Sequence, residues 1–71
     1  VYEQQGDTAQ ALTHLKEAVK LKPDVADLHY NLGLAYELEG DRTQAKTHYE
    51  RALKLDPQGE DARKALARVQ S

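Results

Sequence analysis

The sequence predicts an all-α protein of the α-solenoid class, in which antiparallel helix pairs stack side by side. One observation is a period, because prolines stand at positions 23 and 57, which are 34 residues apart. A second is that apolar residues recur at helical spacing between these prolines. A third is that a Gly-Asp pair interrupts the pattern at the same interval, at 6–7 and at 40–41. Periods of about 20 to 50 residues are typical of stacked repeats.

The repeat is visible without gaps when residues 1–23 are aligned on residues 35–57, with 12 identities in 23 positions. Identity at this density predicts that one structural unit occurs in both segments. The identical pairs are Tyr2/Tyr36, Glu3/Glu37, Gly6/Gly40, Asp7/Asp41, Gln10/Gln44, Ala11/Ala45, Thr13/Thr47, His14/His48, Ala18/Ala52, Lys20/Lys54, Leu21/Leu55 and Pro23/Pro57.

The first segment is predicted to hold the last turn of one helix and the whole of the next. Residues 1–5 form that last turn, Gly6 ends it, and Asp7 caps a helix over about 8–21. Pro23 stops this helix, because the residue before a proline avoids helical angles. The apolar stripe of the helix is predicted to contain Ala11, Leu15, Ala18, Val19 and Leu21.

The second helix is predicted over about 25–39, with Asp24 as its cap. Gly33 lies in its middle, where glycine costs roughly 1 kcal/mol relative to alanine. A helix tolerates that cost where a neighbour must approach closely. The apolar stripe is predicted to contain Leu28, Leu32, Ala35 and Tyr36.

Two further helices are predicted over about 42–55 and 58–70. The turn at Gly40 and Asp41 precedes the former, and Pro57 follows it. The last helix has a single narrow stripe, which is typical of the solvating cap that ends a repeat array, so the C-terminus of the parent protein is expected near Ser71. The apolar stripe of the helix over 42–55 is predicted to contain Ala45, Tyr49, Ala52 and Leu53, and that of the helix over 58–70 to contain Ala62, Ala65, Leu66 and Val69.

These motifs resemble the tetratricopeptide repeat, whose pattern is Trp-x2-Leu-Gly-x2-Tyr, then Ala-x3-Phe, then Pro. The resemblance implies a right-handed superhelix and places Ala45 as the close neighbour of Gly33. On this basis 1–71 is one domain, with a partial repeat at 1–23, a complete repeat at 24–57 and a capping helix at 58–71. The residues that match the pattern are Leu32, Gly33, Tyr36, Ala45 and Pro57. His29 stands where the pattern has tryptophan, and Tyr49 where it has phenylalanine.

Composition excludes several classes of function. The chain has no cysteine and a net charge of −2, without the basic face that nucleic acid requires. No apolar run approaches the roughly 18 residues of a membrane span, so no membrane insertion is predicted. The chain begins in mid-pattern and without Met, so it is expected to be a piece of a longer protein. Cytoplasmic and periplasmic locations are equally compatible with it.

Catalytic chemistry finds no support in the spacing of polar residues. His14 and His48 are repeat equivalents about one repeat apart, and His29 lies on a different kind of helix, so no three or four ligands converge on a metal. The one serine is Ser71, and no base and orienter accompany the threonines. We therefore predict a non-enzymatic protein without metal or cofactor.

The resemblance implies that the first helix of each pair lines a concave groove that binds a protein or peptide. Tyr30 and Leu34 are candidate anchors outside the main stripe, although both are equally compatible with packing on neighbouring helices. One branch of the family clamps chaperone C-termini with lysines, but Asp27 and Asp61 stand at such positions and argue against that partner. The predicted groove residues are Asp27, Tyr30, Leu34 and Glu37, then Asp61, Lys64 and Arg68, with Glu3 and Gln4 from the partial repeat.

The alternative to this leading hypothesis is a structural spacer or a self-assembly segment of a longer protein. The helix at 8–21 is expected to leave part of its stripe uncovered, because only five residues precede Gly6. We therefore predict a homodimer of this fragment through Ala11, Leu15 and Ala18, in which one-sided apolar surface favours a closed pair.

Overall fold

The computed structural model describes the backbone of residues 2–70 and the side chains of residues 8–70. Four helices follow one another, and the described residues form no strand, which confirms the all-α class. The helices are α1 (Tyr2–Leu21), α2 (Ala26–Leu38), α3 (Arg42–Leu55) and α4 (Glu60–Gln70).

Each helix packs on the next one in the chain, and the turns between them are three or four residues long. In addition, α2 contacts α4. The helices α2 and α4 therefore lie beside each other, and both pack on α3. Together they form one face of the molecule, which we call the α2–α4 face. This is the arrangement expected of a helical-repeat solenoid.

The predicted break at Gly6 and Asp7 is wrong, because α1 is continuous from Tyr2 to Leu21. Asp7 therefore lies within a helix and does not begin one. The backbone hydrogen bonds of α1 continue through Gly6, and they outweigh the cost of one glycine within a helix, which is about 1 kcal/mol.

The two ends of α2 differ in how they are capped. At the start the capping position is Val25, which makes no side-chain hydrogen bond, so the predicted role of Asp24 is wrong. At the end Gly40 adopts a φ of +88°, and the amides of Gly40 and Asp41 donate to the carbonyls of Glu37 and Tyr36. This pair of bonds is the Schellman motif, which explains why a glycine ends the helix.

Local side-chain bonds define the starts of α3 and α4. The Asp41 carboxylate accepts a hydrogen bond of 3.1 Å from the amide of Gln44, which confirms Asp41 as the cap of α3. The Asp56 carboxylate accepts from the amide of Gln58 at 3.3 Å. This bond holds the turn after Pro57, so α4 begins at Glu60 and not at the predicted residue 58.

The core is built around Tyr49, whose side chain is completely buried. Small residues of α3 and α4 surround it, and half-buried side chains of α2 and α4 pack against this cluster. A Cβ atom added to Gly33 would lie 2.6 Å from Cε1 of Tyr49. The three atoms nearest to this Cβ all belong to the Tyr49 ring. The resemblance had implied Ala45 as the close neighbour, so the ring of Tyr49 is the closer contact. The core cluster is Ala45, Tyr49, Ala65 and Val69, with Tyr30, Leu34, Tyr36 and Leu66 packed on it.

Candidate partner-binding site

The seven residues predicted to bind a partner lie on α2 and α4, on the α2–α4 face. Asp27, Tyr30 and Asp61 line one depression, and Leu34, Glu37 and Arg68 line another. Lys64 is exposed but borders neither of them. Glu3 and Gln4, which were predicted to extend the groove, lie outside the residues whose side chains are described.

The first depression, which we call the acidic cleft, lies where the beginnings of α2 and α4 meet the end of α3. It has a volume of about 170 Å³. Pockets that hold a drug-sized molecule usually measure about 300–1,000 Å³, so this cleft suits a single side chain. Its polar lining is Asp27, Tyr30, Asp56, Glu60 and Asp61.

No ion pair neutralises these acids among the described side chains, and the cleft has no basic residue in its lining. Asp27 lies in the first turn of α2, and Glu60 and Asp61 lie in the first turn of α4. Acidic residues at these positions also stabilise a helix through its dipole. The cleft therefore presents concentrated negative charge and supports the starts of two helices at the same time.

The second depression, which we call the Leu34 groove, is lined by Leu34, Glu37, Leu38 and Arg68. The Nε and Nη2 atoms of Arg68 donate to the two carboxylate oxygens of Glu37, at 2.7 and 2.8 Å. A bidentate pair of this kind holds both side chains in one geometry. Glu37 and Arg68 therefore satisfy each other within the chain and connect α4 to α2.

Tyr49 extends this pair into the core, because its hydroxyl donates to Oε1 of Glu37 at 2.8 Å. The pKa of Glu37 is lowered, mainly by the hydrogen bonds from Arg68. Burial acts in the opposite direction, and the hydrogen bond from Tyr49 lowers the pKa further. Burial, followed by the bond to Glu37, raises the pKa of Tyr49 well above its usual range. The bond to Glu37 likewise raises the pKa of Arg68. All three groups therefore keep the protonation states that this network needs.

Tyr30 and Leu34 are half-buried, and both pack against the core cluster. The ring of Tyr30 lies 5.8 Å from that of Tyr49, at an angle of 41°. The two residues thus contribute to packing, and the remaining part of each side chain borders its depression.

A histidine pair was not foreseen from the sequence. His29 of α2 is only 3% exposed, and its Nε2 lies 2.8 Å from the carbonyl oxygen of Pro23. Its Nδ1 lies 3.4 Å from Nδ1 of His48 on α3. Burial and the nearby charges of His29 and Arg51 lower the pKa of His48.

The residues predicted to self-associate are less covered than their repeat equivalents. Ala11 is exposed whereas Ala45 is fully buried, and Leu15 is half-buried whereas Tyr49 is fully buried. Ala18 is also half-buried. A depression of about 360 Å³ runs along this surface, which we call the α1–α2 surface. It is lined by Thr8, Ala11, Leu15, Asn31, Leu34, Ala35 and Leu38.

The described residues contain neither a metal-binding cluster nor a membrane-spanning helix. None of them form a group of three or more histidine, cysteine, aspartate or glutamate side chains able to hold a metal ion. None of the helices that the structure describes is long and apolar enough to cross a membrane.

The hydrogen bond between Tyr49 and Glu37 was not predicted, but the sequence contains a signal that indicates it. A tyrosine at 49, where the family pattern has phenylalanine, brings a hydroxyl that must find a partner once the ring is buried. Glu37 lies one turn beyond Gly33, the residue that faces the Tyr49 ring, and is the nearby acceptor on that helix. The pairing of Arg68 with Glu37 and that of His29 with His48 join residues 31 and 19 positions apart, and nothing in the sequence indicated them.

Comparison with known families agrees with the repeat period and the helix order. A model described as TPR repeat matches residues 1–40, and one described as Tetratricopeptide repeat matches residues 26–58. No curated protein matches the chain. The chain belongs to the tetratricopeptide repeat family, whose repeats generally mediate protein–protein interactions and generally act as non-catalytic scaffolds.

Proposed function

We propose that the α2–α4 face binds a peptide segment of a partner protein that carries one basic side chain and a neighbouring apolar one. The observation that carries this proposal is the acidic cleft, where Asp27 and Asp61 from two different helices line one depression the size of a side chain. The basic side chain of the partner would enter this cleft beside the ring of Tyr30.

The distribution of charge on the face favours a basic partner. The cleft holds acids only, whereas the charges of Glu37 and Arg68 are already paired with each other. The remaining basic residue of the predicted groove is Lys64, and it lies outside both depressions. Like charges brought together at an interface are unfavourable, so an acidic segment would be disfavoured here.

The Leu34 groove supplies the apolar contact of the proposed site. Leu38 is 76% exposed, and it borders this groove together with Leu34. Leu34 is one turn of α2 beyond Tyr30, so an extended or helical peptide would reach both depressions. The apolar contact would supply affinity, and the charge would select the partner.

Nuclear magnetic resonance titration with matched peptides tests this proposal. One peptide carries lysine or arginine beside leucine, and its control carries glutamate at the same place. We expect the basic peptide alone to shift the amide signals of Asp27, Tyr30 and Asp61, with an affinity that weakens as salt is added. Equal shifts with both peptides, or shifts confined to α1 and α3, would contradict the proposal.

The cleft acids also stabilise their helices, so the variants need a control for stability. Asp27→Asn with Asp61→Asn should abolish the shifts caused by the basic peptide. Glu17→Gln with Glu50→Gln changes the charge equally at exposed positions of α1 and α3, and should leave binding unchanged. Tyr30, Glu37 and Arg68 are unsuitable first targets, because each also holds the fold together.

The second candidate function is self-assembly, which the exposure of the α1–α2 surface favours. We propose that this surface docks against the same surface of a second copy, since Ala11 and Leu38 are exposed along it and five of its seven lining residues are apolar. A self-complementary patch on one side of the molecule produces a closed two-fold dimer.

Sedimentation equilibrium across a wide range of concentration tests this second proposal. Leu38→Lys should abolish the dimer. It should leave the helices intact, because the exposed side chain of Leu38 contributes little to the fold. Leu21→Lys is the matched control, since Leu21 is 79% exposed and does not line the surface. A monomer at every concentration in the unchanged chain would contradict the proposal.

A further inference from the structure

The histidine pair has one arrangement of protons that its contacts allow when both rings are neutral. The carbonyl oxygen of Pro23 only accepts, so Nε2 of His29 carries a proton and donates to it at 2.8 Å. Nδ1 of a neutral His29 is then bare. The contact of 3.4 Å between the two Nδ1 atoms therefore has His48 as the donor and His29 as the acceptor.

This arrangement joins three parts of the chain. Pro23 belongs to the turn after α1, His29 to α2 and His48 to α3. The two rings are stacked, with centroids 5.7 Å apart and an angle of 20° between their planes. The ring of Tyr36 stacks on the other side of His48 at 5.4 Å. The contacts of His48 thus reach two residues of α2.

The pair tolerates one additional proton and not two. A proton on Nε2 of His48 leaves its Nδ1 donating to His29, so the bond survives. A second proton must go to Nδ1 of His29, and then two N–H groups face each other with no acceptor between them. The second proton would also place a cation on a ring that is only 3% exposed.

The charges around the pair oppose protonation further. Arg51 on α3 acts on His48 and is positive, as His29 is when it is charged. From α1, the ammonium group of Lys16 lies 5.6 Å from the centre of the Tyr36 ring that stacks on His48. Burial is the largest cause that lowers the pKa of His48, and the charges of His29 and Arg51 add to it.

We propose that His29 and His48 form an acid-sensitive latch, which joins the Pro23 turn, α2 and α3 when the rings are neutral and opens when both are protonated. Because α2 carries the groove residues, opening the latch would loosen the proposed binding face. The first proton, on His48, already lowers stability, because the pKa of His48 is lowered in the folded chain: this contribution is present above the ordinary histidine value and is lost as pH falls below it. The bond between the two rings opens only with the second proton.

The neighbouring repeat provides an internal comparison. Arg63 is the repeat equivalent of His29, and its Nη2 donates to the carbonyl of Pro57 at 3.4 Å, the equivalent of Pro23. This contact therefore contains no histidine. His14 is the equivalent of His48 and is exposed. Among the described residues, two histidines face each other only where α2 meets α3.

Thermal unfolding of the chain between about pH 7.5 and 5.5, where histidine titrates, tests the latch. The variant His48→Asn keeps a donor near the position of Nδ1 but cannot be protonated. His14→Asn is the matched control. We expect the unfolding midpoint to fall with pH equally in the unchanged chain and in His14→Asn, and to fall much less in His48→Asn. An equal fall in all three proteins would overturn the proposal.

If His48→Asn fails to fold, the nitrogen-15 signals of the histidine rings in the unchanged chain test the latch instead. Above the histidine range, His29 should show a proton on Nε2 and a bare Nδ1, and His48 should show its proton on Nδ1. On acidification, the loss of this pattern should coincide with changes in the amide signals around Pro23. A proton on Nε2 of His48 with a bare Nδ1 at neutral pH would overturn the latch.

Discussion

The ring of Tyr49 occupies the space that a side chain at position 33 would need. A Cβ atom on Gly33 would lie 2.6 Å from Cε1 and 2.7 Å from Cδ1 of that ring. The ring is completely buried and cannot move aside into solvent. The glycine in the middle of α2 is therefore required by a ring on α3, and its cost in helix propensity is offset by this packing.

Gly33→Ala should destabilise the fold although alanine is the better helix former. We expect a loss of about 1–3 kcal/mol in the free energy of unfolding, as is usual for overpacking, and a larger loss for Gly33→Leu. Urea denaturation followed by circular dichroism measures it. In a Tyr49→Leu background, which copies Leu15 of the equivalent position, the same alanine should cost less. A Gly33→Ala protein as stable as the unchanged one would refute the close approach.

Asp41→Ala should cost about 0.5–2 kcal/mol, because it removes the cap bond to the amide of Gln44. Asp24→Ala is the matched control, since Asp24 precedes a helix in the same way but makes no cap bond. We expect it to change the free energy of unfolding by less than about 0.5 kcal/mol. Equal effects of the two substitutions in urea denaturation would show that the cap assignment is incorrect.

Glu37→Gln should reduce the dependence of stability on acid pH. The bonds from Arg68 lower the pKa of Glu37 in the folded chain, so the carboxylate contributes stability above its ordinary value, 4.5. That stability is lost as pH falls below 4.5 and through the folded pKa. Glu39→Gln serves as control, because Glu39 is an exposed neighbour. Identical pH profiles of unfolding for the two variants would exclude a role of the Glu37 pair.

Tyr49 should ionise only when the fold opens on raising the pH. Burial and the bond to Glu37 raise its pKa above 10.0, so the folded state disfavours the phenolate. Its contribution to stability is present below pH 10.0 and is lost as pH rises further. Ultraviolet absorbance should therefore show one phenolate that forms together with the loss of helix, and this step should be absent in Tyr49→Phe. Ionisation of Tyr49 in a chain that stays helical, measured as the absorbance difference from Tyr49→Phe, would contradict the assignment.

Local signals explain what was predicted correctly. The left-handed Gly40 and the cap Asp41 act within a few residues of themselves, so they mark the end of α2 and the start of α3 in any context that lets those helices form. Pro23 and Pro57 act in the same local way. The same kind of reasoning failed at Gly6, where α1 continues through the glycine, because one glycine costs a helix only about 1 kcal/mol.

The sequence by itself determined the period, the helical class, the stripes that form the core of α2, α3 and α4, and the position of the candidate binding face on α2. These follow from spacing and from residues with strong local preferences. The tertiary structure alone decided that Tyr49 faces Gly33, that Glu37 pairs with Arg68 and that His29 meets His48. Glu37 and Arg68 are 31 residues apart, and the two histidines are 19 apart. Contacts at such separations depend on how two helices dock, which no local preference of either segment specifies.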